Sequence, residues 1–214
     1  MRTVAVLVAL AVPLPPAVAE TTPPPFSFDG ATPRPTLLAP PPVDLRLGQL
    51  RIRFGRTTLR DLQVATGKGI IAHRGDAGES KYWLCYEGTV NSSAVRLWFI
   101  AGEIDGPKRA IGVVQLVVAT RNPYSEGDCP ALPDKLQRIS LGRATVLGLS
   151  AEGAVARLGE PSSRESEALS YFHLRKIPGQ YQGTTVDFDR SNLLELRLVG
   201  GKVVGLVVSQ STTY

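Results

Sequence analysis

The chain has 214 residues, of which 43% are apolar and 20% charged, and this ordinary globular usage excludes a collagen-like chain, an acidic disordered chain and a polytopic membrane protein. A net charge of +5, from 24 basic against 19 acidic side chains, is too mild for a nucleic-acid binder, which concentrates basic residues on one face. Proline is the outlier: 11 of 17 fall in residues 1–42, so the folded part is expected over about residues 43–214.

Residues 1–19 have the three parts of a secretory signal peptide. Arg2 supplies the positive region, Val4 to Val12 an apolar run too short to span a bilayer, and Ala17-Val18-Ala19 the small residues before a cut at Glu20. Export to the periplasm or medium is therefore expected, with no transmembrane segment in the mature chain. Residues 20–42 carry prolines that fix φ and remove amide donors, so they read as a disordered tether that adds nothing to stability.

The next segment, residues 45–69, alternates Leu50-Ile52-Phe54, caps a helix at Thr57 and stops it at Gly67 and Gly69. Strands are predicted over 82–87, 94–101 and 110–119, which makes residues 43–119 one unit and 120–138 a connector. The second unit, 139–214, opens on a short strand, with Ser150 as N-cap, Ala154, Val155 and Leu158 at helical spacing, and Gly159 and Pro161 as stop. Strands over 168–175, 182–189, 192–199 and 202–209 follow, the last two joined by a Gly200-Gly201 hairpin turn. Cys85 lies in a strand-like run and Cys129 in a loop. In an exported chain they are expected to form a disulfide, the alternative being one reactive thiol beside a buried spectator.

The two units align at an offset of 93 residues, which places Gly55 on Gly148, Thr57 on Ser150 and Leu62 on Val155. The fold class that follows is α+β: two tandem helix-plus-antiparallel-meander repeats. They form either two small domains or, as favoured here, one sheet of about seven or eight strands with the helices on one face. Within the second unit, Leu147, Gly148, Ser150, Val155, Leu158, Gly159 and Pro161 form a strand, cap, helix and Leu-Gly-x-Pro opening. This resembles the beta-lactamase-inhibitor-like superfamily, which also includes small lipoproteins of the outer-membrane assembly machinery. The first unit departs from that pattern, with Thr66-Gly67 in place of Leu-Gly and no proline after it. The resemblance implies a curved sheet that grips a partner protein. The chain lacks the lipobox cysteine of the lipoprotein branch.

Chemical signatures are sparse. There is no Gly-x-Ser-x-Gly and no Ser-x-x-Lys with Lys-Thr-Gly, and only His73 and His173 could serve as an imidazole base. No His-x-x-x-His or Cys-x-x-Cys pair offers a metal site, and Asp187, Asp189, Glu103 and Asp105 read as solvated strand-end and turn acids. No cofactor and no catalytic residue is assigned. Arg46, Arg51, Arg53, Arg56 and Arg60 form a basic run, read as a solvated face or a contact for an anionic partner surface.

Strand parity locates a candidate binding face. The more apolar set (Tyr82, Leu84, Tyr86; Val95, Leu97, Phe99; Ala168, Ser170, Phe172, Leu174; Val186, Phe188) is assigned to the core under the helices. The other set places Trp83, Arg96, Trp98, Tyr171, His173, Arg175 and Asp187 on an open face, where aromatic and arginine side chains favour a protein partner, the alternative being a core packed from both sides that the two tryptophans fill. The functional expectation is a non-enzymatic protein-binding module. The alternative is an envelope enzyme or small-ligand carrier, which a cleft converging His173 with Asp187 or Glu103 would favour.

Overall fold

A computed structural model describes residues 22–26, 34–76, 79–103, 108–119 and 129–213. The expected signal peptide with its cut before Glu20, residues 20, 21 and 27–33 of the expected tether, the expected turn acid Asp105 and residues 120–128 of the connector lie outside the described residues.

The chain is α+β, and its strands pair antiparallel. In chain order they are β1 (Val43–Leu47), β2 (Leu50–Arg51), β3 (Ala72–Arg74), β4 (Lys81–Val90), β5 (Ser93–Gly102), β6 (Val113–Val118), β7 (Ile139–Gly142), β8 (Ser163–Arg164), β9 (Ala168–Tyr181), β10 (Thr184–Val199) and β11 (Lys202–Thr213). Helix α1 (Leu59–Thr66) lies between β2 and β3, and α2 (Ala151–Leu158) between β7 and β8. Eight strands form one sheet in the order β3-β4-β5-β6-β11-β10-β9-β8, so β6 and β11 meet at its centre. The expectation of a single sheet needs correction, because β2-β1-β7 form a second sheet of three strands. Leu47 pairs with Ile139 across the two halves of the sequence, a contact that alternation within Leu50-Ile52-Phe54 does not announce.

Local chemistry explains both helices. Ser150 caps α2, its hydroxyl accepting from Gly153 N–H, and Gly159 ends it at φ 93°. For α1 the cap is Thr58, not Thr57. The Thr58 hydroxyl accepts from Asp61 N–H and the Asp61 carboxylate accepts from Thr58 N–H, a reciprocal box available only to the residue three before the acid. Thr57 instead accepts from Arg53 N–H in the preceding turn. The Thr58 backbone bond, then its hydroxyl, hold the Asp61 carboxyl below its ordinary pKa. A depressed carboxylate stabilises the fold at neutral pH, and the contribution is lost as pH falls through the folded pKa. Thr58→Ala should therefore cost about 1 kcal/mol at pH 7 and less at pH 3, read from urea midpoints.

Leu59 and Leu62 of α1 and Ala154 of α2 belong to one buried cluster with Leu84, Tyr86, Leu97, Phe99, Leu116, Tyr171, Leu194, Leu196 and Leu206 of the large sheet. One face of that sheet thus carries the main core. The predicted parity is correct for β4 and β5 and reversed for β9. Tyr171 opposes Leu194 and Leu169 opposes Leu196, so the register with β10 turns the odd residues of β9 into the core. The strands expected over 182–189 and 192–199 are one, because Arg190 and Ser191 keep pairing with β9 and with β11. The Gly200-Gly201 turn has both φ values positive, as a tight hairpin requires.

Candidate functional site

On the face opposite the helices, a second cluster joins Trp83, Cys85, Trp98, Ile100, Val117 and Cys129, with Phe26 and Val113 against it. Trp83 comes from β4 and Trp98 from β5, and neither is open: they are 5% and 0% exposed. What covers them is the chain's own N-terminal segment, Thr22 to Phe26. Both indole Nε1–H groups donate to the single Thr22 carbonyl, each at 3.0 Å. On β6, the Gln115 carboxamide accepts from Phe26 N–H at 3.0 Å and donates to the Phe26 carbonyl at 2.8 Å. The Phe26 ring lies over Gly205 of β11, where a Cβ would stand 3.3 Å from it, with the Arg197 guanidinium of β10 5.0 Å from its centre.

The tether expected over 20–42 is therefore corrected where it is described. Thr22 to Phe26 crosses the sheet, and Leu37 packs on the main core and donates to the Phe172 carbonyl at 3.3 Å. Prolines removed helix and strand as options, but the Thr22 and Phe26 carbonyls and the Phe26 and Leu37 amides still bind.

The second wall of this face is set by the disulfide. Cys85 and Cys129 are bonded, with Cα atoms 5.0 Å apart. Beyond Cys129 the chain runs parallel to β4, with Glu87 N–H donating to Pro130 O and Leu132 N–H to Glu87 O at 3.1 and 2.8 Å. Next to it Arg96 donates to Glu87 at 2.9 Å.

Of the expected face, Trp83, Arg96 and Trp98 stand together, and Asp187 of β10 has the same parity further along the sheet. Tyr171, His173 and Arg175 do not join them. They follow the reversed parity of β9 onto the helix side, where Tyr171 is buried in the main core. His173 pairs in register with Asn192, whose amide approaches its Nδ1 at 3.5 Å, so His173 and Asp187 lie on opposite faces of the sheet. His73, read as a turn residue, is in β3, where it stacks on Tyr82 and bonds Ser80 at 2.6 Å. Within the basic run, Arg46 and Arg51 both pair with Asp44 at 2.9 Å.

Burial, and then the Arg175 charge, lower the His173 imidazole below its ordinary pKa. The unfolded chain takes up that proton near pH 6.5 and the folded chain resists it, so stability falls as pH drops through 6.5. The urea midpoint should decrease between pH 7.5 and 5.5, and His173→Gln should flatten this part of the profile.

Sequence reasoning missed Thr22, Gln115, Arg197 and Gly205, and named Phe26 and Leu37 only as the side chains that would dock if the tail were not a free tether. Gln115 was visible as a lone amide within Val113-Val114-Gln115-Leu116-Val117-Val118, completely buried and opposite in parity to Val114 and Leu116. A buried amide in a strand needs partners beyond the sheet, and here they are the Phe26 backbone. Compared with protein families, curated proteins and solved structures, the chain matches none of them.

Proposed function

We propose that this protein is an exported, non-enzymatic module that binds other proteins through the sheet face built on Trp83, Trp98 and Gln115. The observation that carries this reading is the convergence of two indole N–H groups on one carbonyl, with a two-point amide clamp on Phe26 beside it. Such an arrangement recognises the backbone of an extended segment, and aromatic groups with a polar handle are the side chains that dominate interface energies. The signal-peptide pattern of residues 1–19 and the disulfide support export. The matching order of helix and strands in the two halves supports a duplicated unit, and the Thr145–Ser162 pattern supports kinship with the beta-lactamase-inhibitor-like superfamily.

A photo-crosslinking amino acid in place of Val113, half-buried on this face, tests the reading in cells that export the protein. An adduct with another protein should form there, disappear with Gln115→Ala, and be absent when the crosslinker replaces Val64, exposed on α1. Adducts equally frequent at both positions, or indifferent to Gln115→Ala, would contradict it.

A further inference from the structure

Thr22 to Phe26 is held in a way that does not depend on its belonging to this chain. All four hydrogen bonds go to main-chain atoms, two to the Thr22 carbonyl and two to the Phe26 peptide. Pro23, Pro24 and Pro25 between them fix φ and stiffen the segment, which bends at Pro25 and Phe26, and the Phe26 ring supplies the anchor. Aromatic-lined grooves that hold proline-rich segments work by this division of labour, since such segments lose little entropy on binding.

The resident segment also fits imperfectly. Thr22 is 1% exposed, yet its hydroxyl has no partner among the described residues. The Arg96 Nη1 and Arg197 Nε atoms, on the same face, are buried and unpartnered as well. A buried hydroxyl without a partner weakens the contact on the order of tenfold relative to an apolar isostere. Thr22 to Phe26 precedes every strand, so it can leave without unpairing the sheet.

Resting on the binding-module reading, we infer that the Trp83–Trp98–Gln115 groove takes a proline-rich extended segment of another polypeptide, and that residues 22–26 occupy it until displaced. The ligand carries a branched apolar residue where Thr22 lies, prolines after it, and an aromatic ring where Phe26 lies. The cis segment is a competitor, favoured by its tether and weakened by its unpaired hydroxyl.

The test uses the full exported chain and synthetic peptides with the sequence of residues 20–29. In a Phe26→Ala chain, whose own segment has lost its anchor, the peptide should shift indole emission to the blue and saturate. The Thr22→Val peptide should bind about tenfold tighter than the parent, and the Phe26→Ala peptide at least about tenfold weaker. In the unaltered chain, millimolar Thr22→Val peptide should make residues 22–26 accessible to protease, a readout independent of the variant's folding. No saturable shift in the Phe26→Ala chain together with no release in the unaltered chain would overturn the proposal. So would dimers formed without peptide by exchange of N-terminal segments, since the occupant would then be a second copy. A Gln115-dependent adduct at Val113 alongside failed peptide binding would remove the proline-rich ligand and leave the binding-module reading standing.

Discussion

Replacing Trp98 by alanine should lower the stability of the protein by about 3–5 kcal/mol. The side chain is fully buried, stands opposite Cys85 on the neighbouring strand, and packs with Ile100 and Val117. Truncation leaves a cavity that the backbone of a central strand cannot collapse to fill, and it removes one of the two donors on the Thr22 carbonyl. An indole on an open face would give a much smaller loss, limited to cross-strand packing. Trp98→Phe separates the two contributions: it restores most of the buried area but not the N–H, so it should recover over half of the loss. Equilibrium urea unfolding reads both variants, and a Trp98→Ala cost below about 1 kcal/mol would show that the indole is not sealed.

Removing the disulfide, as Cys85→Ala with Cys129→Ala, should cost roughly 4–5 kcal/mol. The bond closes a separation of 44 residues, which in the chain-entropy model corresponds to about 4 kcal/mol before any adjustment for packing. Both sulfurs are buried beside the tryptophans, so alanine also vacates volume in that cluster. The structural consequence is local. Without the bond, the Pro130 and Leu132 contacts to Glu87 must hold the second wall of the face by themselves. Hydrogen exchange at Leu132 should quicken more than exchange at Leu196, deep in the main core. Equal acceleration at both amides would mean that the bond supports the whole fold and not that wall.

Much of the local structure was legible because it depends on short-range chemistry. Ser150, Gly159 and Gly67 cap and stop their helices as their types require, and Gly200-Gly201 makes the hairpin. Strand parity was readable in β4 and β5, where one face is clearly richer in apolar residues. In β9 it was not, because both sets are apolar: Leu169 and Tyr171 face the helices, while Ala168 and Phe172 are buried on the other side. Only the register against Leu194 and Leu196 decides between them, and register is a long-range property. The β1–β7 pairing escaped for the same reason. The N-terminal segment escaped for a different one. Proline content excludes hydrogen-bonded secondary structure, but it does not exclude docking through carbonyls, and the groove that receives them is assembled from five separate strands.

Solvent exchange of the two indole N–H protons, followed by NMR in the exported chain, shows whether the tryptophan face holds the Thr22–Phe26 backbone. Both protons should give separate, protected resonances, because both donate to the buried Thr22 carbonyl. With Phe26→Ala and Gln115→Ala combined, both should exchange at least about tenfold faster while amides of the main core keep their protection. Rapid exchange of both indoles in the unaltered chain, or protection indifferent to the paired substitution, would show that the Thr22 carbonyl does not hold them.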